Sequence, residues 1–186
     1  MRHAVGLDRD LRRQAVTCRM SLSMERVRDA LQVLNSMQDE GVIEEYAVAG
    51  AMAILFWTEA VPTFDLDVLV VLPASDEAIV SLDSLYRWTE ARGYRALKEH
   101  ILIEGVRTQF VPSPSPLADE AIVTAETLDY DGVPVKVVRP EYLVALYSEP
   151  SARTAKRRER AAMLLDWPGL NRKLLDEILN RHGLSL

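Results

Sequence analysis

The feature of this sequence that most constrains its fold is an apolar run that begins with two carboxylates. Residues 65–72 read DLDVLVVL, a pattern typical of a strand buried in a sheet. Residues i and i+2 of a strand share a face, so Asp65 and Asp67 are expected to project together. Because a buried, unpaired charge costs several kcal/mol, this pair requires a cation, a basic side chain or water at the start of the strand.

Composition predicts one globular core. The chain has 186 residues, of which 48% are hydrophobic and 27% charged. We expect a flexible tail over residues 1–20, a core domain over residues 21–150, and C-terminal helices over residues 151–186 that pack on the same domain. The net charge of −6 argues against a protein that coats duplex nucleic acid.

Cysteine content and hydropathy bear on the cellular setting. The single cysteine, Cys18, excludes an internal disulfide and favours a cytoplasmic protein. No apolar stretch approaches the roughly 20 residues that cross a bilayer, and the first residues lack the apolar run of a signal peptide. We therefore expect neither membrane insertion nor export.

Periodicity and turn residues predict an alternation of helices and strands. A first helix that ends near Gly41 is expected to bury one face, consisting of Val27, Ala30, Leu31, Leu34 and Met37. The next predicted elements are a strand over 46–49, a helix over 51–58, the strand from Asp65, a helix over 75–92, and a hairpin with strands 101–103 and 106–111. A proline loop, a second hairpin that turns at Asp131 and Gly132, a helix from Pro140 and further helices after Pro150 complete the prediction.

A glycine turn precedes the strand that carries the carboxylates. In VAGAMA a strand is predicted to end at Ala49 and a helix to begin after Gly50, with free N–H groups that form an anion site. Two carboxylates on one face suit a hard cation such as Mg²⁺. If the two strands pair, phosphates and metal would share one site. The alternative, that Asp65 and Asp67 are solvated or paired with an arginine, stays open.

The order of these features resembles the polymerase-β-like nucleotidyltransferase superfamily. The resemblance is carried by Gly50 and Ala51, a spacer of thirteen residues, and DLDV at residues 65–68. Thr63 matches a threonine common in the small bacterial branches. VPVKVVRPEYLVALY and RTAKRRERAAMLLD resemble a strand, a Pro-Glu helix and a lysine-bearing helix of the AbiEii toxin-like branch.

This resemblance implies an α+β fold, in which helices flank a mixed sheet and a helical extension follows. It also implies an enzyme that binds a nucleoside triphosphate with Mg²⁺ or Mn²⁺ and transfers a nucleotidyl group to an unknown acceptor, which is a protein, an RNA or a small molecule. The residues implied are Asp65 and Asp67 for the metal, and Gly50, Ala51, Thr63, Arg153 and Lys156 for the phosphates.

Three departures from the family pattern bear on catalysis. Ala51 replaces a glycine or small hydroxyl residue, Val61 stands where arginine is frequent, and Gln109 aligns with the third carboxylate. An amide can coordinate a metal through its oxygen, but it supplies no negative charge and cannot act as a base. The alternative is a protein of the same fold that has lost catalysis and acts as a binding partner or regulator, for instance in a toxin–antitoxin system. A third hypothesis is a structural module in which Asp65 and Asp67 form salt bridges and bind no nucleotide.

Overall fold

The computed structural model describes residues 24–58, 63, 65–74, 81–152 and 154–186. The expected tail over residues 1–20 lies outside these ranges. The strands are β1 (Glu45–Ala49), β2 (Asp65–Val71), β3 (Arg95–Leu97), β4 (His100–Ile103), β5 (Val106–Pro112), β6 (Glu126–Tyr130) and β7 (Val133–Val137). The helices are α1 (24–39), α2 (Gly50–Trp57), α3 (Asp83–Ala91), α4 (Pro116–Val123), α5 (Pro140–Ser148), α6 (Ala155–Asp166) and α7 (Arg172–Arg181).

The strands form one mixed sheet at the centre of the molecule. Their order across the sheet is β3-β4-β5-β2-β1-β7-β6. The pairs β2 with β5 and β1 with β7 are parallel, and the remaining neighbours are antiparallel. Together with the seven helices of the described part, this architecture confirms the expected α+β fold with a mixed sheet.

Local sequence signals account for many of these elements. The five apolar residues predicted for the buried face of α1 are each at most 3% exposed. Both predicted hairpins are present, and at each turn two successive residues have positive φ: 49° and 79° at Glu104 and Gly105, and 50° and 83° at Asp131 and Gly132. Two positive φ values in a two-residue turn match the right-handed twist of the flanking strands.

Three elements differ from the prediction. The helix predicted over residues 75–92 begins only at Asp83, and residues 75–80 lie outside the described part. The expected proline loop contains α4, because the Ser115 side chain accepts a hydrogen bond from the N–H of Ala118 and Pro116 occupies the first helical position. Strand β3 was not predicted, since its three residues are all exposed and lack an alternating pattern.

The C-terminal helices pack against α5, which lies beside the sheet. The carboxylate of Glu141 in α5 is buried, and its Oε1 accepts a hydrogen bond of 2.9 Å from the N–H of Asn171, which precedes α7. Leu164 of α6 and Leu175 and Ile178 of α7 are fully buried in the core. No helix of the described part is both long and apolar enough to cross a membrane.

A polar cluster joins α4, α5 and the end of α7. Glu120 accepts a hydrogen bond of 3.1 Å from the Tyr142 hydroxyl, and its two carboxylate oxygens lie 2.6 Å from Arg181 Nη2 and 2.7 Å from His182 Nε2. Burial raises the pKa of Glu120, but the hydrogen bonds from His182 and Tyr142 and the charge of Arg181 more than offset it, so that the pKa lies below its usual value. The ionised form of Glu120 therefore stabilises the contact between these helices.

We expect Glu120→Gln to lower the free energy of unfolding by about 1–2 kcal/mol at pH 7. The pKa of Glu120 is lower in the folded state than in the unfolded state. Its contribution to the free energy of unfolding is therefore complete above the unfolded-state pKa and is lost as the pH falls through the folded-state pKa. The difference from wild type should therefore close below about pH 4 in urea unfolding. Glu177→Gln, which alters an exposed pair with Lys173, is the control and should change little at either pH. A difference for Glu120→Gln that persists at low pH would contradict this account.

Candidate functional site

Strand register brings the sequence-predicted residues to one edge of the sheet. In the antiparallel β1–β2 pair Ala49 lies opposite Asp67, so the Gly50 turn begins beside this aspartate. In the parallel β2–β5 pair Asp65 lies opposite Arg107, and Asp67 opposite Gln109. Paired residues of neighbouring strands share a face, so both aspartates, Arg107 and Gln109 project on the same side.

Gly50 is required here for two independent reasons. Its φ is +63°, a left-handed conformation that residues with a Cβ rarely adopt. A Cβ at this position would also lie 1.9 Å from Oδ2 of Asp67 and 2.7 Å from its Cγ. The Asp67 carboxylate is therefore in direct contact with the turn that opens α2, where the helix has no side-chain cap on its N–H groups.

Asp65 is paired with an arginine. Arg107 Nε donates a hydrogen bond of 2.8 Å to Oδ1, and Arg107 Nη2 lies 2.7 Å from the same oxygen. Both contacts fall on Oδ1, which leaves Oδ2 for another cation. The salt-bridge reading of the aspartates thus holds for Asp65.

Asp67 is in a different situation. No hydrogen bond or ion pair joins its carboxylate to another of the described residues. Burial raises its pKa, and the nearby charge of Asp65 raises it further, whereas Arg160, His100 and Arg157 lower it. The net shift is upward, so these cations do not fully compensate for the loss of solvent around Asp67.

Among the described residues, two basic side chains that act on Asp67 were not predicted from the sequence. Arg157 and Arg160 are one turn apart on α6, and their charges reach Asp67, as does that of His100. Lys156 is exposed and does not appear among the groups that shift the Asp67 pKa, and Arg153 lies outside the described part. Leu164, the buried residue of α6, could have indicated this face, because positions 157 and 160 lie seven and four residues before it.

Two further predicted residues belong to the same region. Ala51 is buried in the first turn of α2 and contributes a backbone N–H there. Thr63 is partly buried and lies two residues before β2. Sequence reasoning missed Tyr147 of α5, a buried residue whose pKa is affected by the charges of Arg160, Asp67 and Arg157.

The oxygen atoms near Asp65 and Asp67 that could coordinate a metal are few, and they suit a hard cation. No group of three or more His, Cys, Asp or Glu that could hold a metal occurs in the part of the chain described. Asp65 and Asp67 would therefore supply the negative charge of a cation site, and the partly buried amide of Gln109 is a neutral oxygen donor on the same face. Mg²⁺ accepts one or two carboxylates and completes its shell with water and phosphates, so this donor set fits it.

A separate cleft of about 670 Å³ lies at the opposite end of β2. Its walls include Val71, Pro73, Arg87 and Pro112, and none of the sequence-predicted site residues. Since β2 runs for seven residues at about 3.3 Å each, this cleft is roughly 20 Å from Asp65. It is therefore not part of the site at the aspartates.

Comparison with known proteins bears on the fold. No protein-family model and no curated protein matches the chain. Among solved structures, it is similar to an antigenic nucleotidyltransferase-like protein from Paracoccidioides brasiliensis, with 17% identity, a TM-score of 0.50, and coverage of 85% of this chain and 87% of that one. It is also similar to ANT(2")-Ia in complex with adenylyl-2"-tobramycin, with 16% identity, a TM-score of 0.51, and coverage of 85% and 95%.

These two structures confirm the fold that the resemblance implied. Each aligns with most of both chains. At this level of identity the likeness extends to the fold, and membership of the AbiEii-like branch stays a prediction. The chain has the fold of nucleotidyltransferase-like proteins.

Proposed function

We propose that this protein binds a nucleoside triphosphate with one divalent cation and transfers its nucleotidyl group to an acceptor hydroxyl. The acceptor oxygen would form a bond to the α-phosphorus, the bond from that phosphorus to the bridging oxygen would break, pyrophosphate would leave, and the hydroxyl proton would pass to water. The observation that carries the proposal is the contact between the Gly50 turn and Asp67, in which a Cβ would lie 1.9 Å from the carboxylate. That contact supports the proposal, because it brings a helix start whose N–H groups have no side-chain cap beside a carboxylate that suits a cation. A metal-bound triphosphate needs both.

Asp65 and Asp67 would hold the cation, Mg²⁺ or Mn²⁺. When bound, such a cation supplies charge neutralisation to phosphate oxygens. The raised pKa of Asp67 supports this role. The neighbouring cations do not offset the cost of burying its negative charge, so an added metal cation would stabilise the ionised form. Gln109 adds an oxygen but no charge, which favours one ion rather than two.

The chain's own groups would hold the triphosphate. The N–H groups of Gly50 and Ala51 belong to the first turn of α2, and the charges of Arg157 and Arg160 on α6 reach Asp67. Arginine binds phosphate oxygens through paired N–H donors. These groups would orient the phosphates and offset their charge without any movement of the sheet.

The acceptor class that we favour is a small molecule with a hydroxyl group. This part of the proposal rests only on likeness to ANT(2")-Ia, whose structure contains adenylyl-2"-tobramycin. A protein or an RNA is the alternative acceptor. The cytoplasmic setting is likewise proposed from the single cysteine.

Calorimetric titration of ATP, GTP, CTP and UTP into the protein, with and without Mg²⁺, tests the proposal. We expect at least one nucleotide to bind, and to bind more tightly when Mg²⁺ is present. If none of the four binds under either condition, the proposed function is wrong. That result would favour the alternative, a binding protein of the same fold.

Substitutions on α6 test which cations hold the triphosphate. Arg160→Gln is expected to weaken Mg²⁺-dependent nucleotide binding about tenfold or more, because it removes a charge beside Asp67. Lys156→Gln removes the same charge from an exposed position on the same helix, and we expect less than a threefold change. Equal losses in the two variants would show that only the net charge of α6 matters, contrary to this assignment.

A further inference from the structure

The hydroxyl group of Tyr147 lacks a hydrogen-bond acceptor within the described part of the chain. The residue lies near the end of α5 and is 7% exposed. Its hydroxyl oxygen is fully buried and makes no hydrogen bond of normal geometry to a described residue. Most buried polar groups are hydrogen-bonded, and an unmet one opposes folding, so a function is expected where one is retained.

The surroundings of Tyr147 define what this hydroxyl lacks. Helix α5 packs directly against α6, and the charges of Arg160, Asp67 and Arg157 reach Tyr147, whose oxygen can accept a hydrogen bond from Arg160. Burial raises the pKa of Tyr147 to about 12, so the group keeps its proton at neutral pH. Guanidinium groups carry only donors, and the Asp67 carboxylate is not bonded to the hydroxyl. The Tyr147 hydroxyl therefore lacks a hydrogen-bond acceptor, and an acceptor there would lie near the positive charges of Arg157 and Arg160.

We infer that the Tyr147 hydroxyl donates a hydrogen bond to a non-bridging phosphate oxygen of the bound triphosphate. A phosphate oxygen is an anionic acceptor, which the neighbouring Arg157 and Arg160 attract to the place where the hydroxyl lacks one. Tyr147 is thus a phosphate-binding residue, added to the α2 turn and the two arginines. This inference rests on the function proposed above.

Tyr147→Phe tests the inference, because it removes one oxygen atom and retains the ring. In the absence of ligand we expect the midpoint of thermal unfolding to stay unchanged or to rise, since an unmet polar group has been removed. Affinity for the preferred nucleotide with Mg²⁺ should fall about tenfold, the effect of losing a hydrogen bond to a charged group. Inorganic tripolyphosphate with Mg²⁺ should show the same loss, because the contact is to phosphate.

Tyr142→Phe is a matched control on the same helix. Tyr142 is also buried, but its hydroxyl already donates to Glu120 at 3.1 Å. This variant should lower the midpoint of thermal unfolding and leave affinity for nucleotide and tripolyphosphate unchanged. The two tyrosines are therefore expected to respond in opposite ways in the two measurements.

Each other outcome overturns the inference. If Tyr147→Phe lowers the unfolding midpoint as Tyr142→Phe does, the hydroxyl is bonded within the free protein. If it binds nucleotide as wild type does, or loses affinity for nucleotide but not for tripolyphosphate, the hydroxyl does not contact phosphate. In these cases wild type still binds nucleotide and the proposed function stands, whereas wild type that binds neither ligand refutes the proposed function itself.

Discussion

Asp67→Asn is expected to lose Mg²⁺-dependent nucleotide binding and, at the same time, to make the folded protein more stable at neutral pH. The affinity should fall about 30-fold or more, as for other truncated partners of a desolvated charge pair. The gain in stability follows from burial, which raises the pKa of Asp67 because it disfavours the ionised form. Asparagine has the same shape and no charge to desolvate.

The pH dependence of this gain has a defined sign. A carboxyl group whose folded-state pKa is raised stabilises the fold below its unfolded-state pKa, and this contribution is lost as the pH rises through the folded-state value. Wild type and Asp67→Asn should therefore have similar unfolding midpoints below about pH 4, and the variant should become the more stable one as the pH increases. Thermal unfolding followed by circular dichroism at several pH values measures this.

The control for Asp67→Asn is Asp176→Asn, on the exposed face of α7. It removes the same charge from an exposed position that does not act on the Asp67 pKa, and it should alter neither nucleotide affinity nor the unfolding midpoint appreciably. A variant at Asp67 that retains Mg²⁺-dependent binding would remove this residue from the site. One that binds nothing and is also less stable at neutral pH would indicate that Asp67 has a structural role.

Gly50→Ala should have the largest effect on stability of the substitutions considered. The new Cβ would lie 1.9 Å from Asp67 Oδ2 and would also be held at a φ of +63°. Strain and overpacking together should lower the free energy of unfolding by about 2–5 kcal/mol. Since relief of the overlap requires the Asp67 carboxylate to move, any folded fraction should also bind nucleotide weakly. Urea unfolding and calorimetry measure the two effects.

Gly183→Ala separates the clash from the backbone strain. Gly183 has a φ of +62°, and a Cβ there would have no atom within 4 Å. Gly183→Ala should therefore lower the free energy of unfolding by about 1 kcal/mol, the cost of alanine in a left-handed conformation. Nucleotide affinity should not change. If the two glycine variants were equally destabilised, the contact between Gly50 and Asp67 would not be the cause.

The sequence by itself determined the elements whose signals are local. Asp131 and Gly132 form a tight turn because these residues tolerate positive φ, and the apolar face of α1 follows from helical periodicity. The common face of Asp65 and Asp67 follows from the alternation of a strand. Such features need no knowledge of a distant residue, and for that reason they could be predicted.

Only the tertiary structure decided what surrounds the two aspartates. Arg107 pairs with Asp65 across 42 residues of sequence, because β5 joins β2 in parallel. Packing of α6 on α5 brings the charge of Arg160 within reach of both Asp67 and the buried Tyr147. Strand pairing and helix packing unite residues that share no local pattern. The sequence could therefore predict the two carboxylates as candidates for a cation site, but only the fold determined their neighbours.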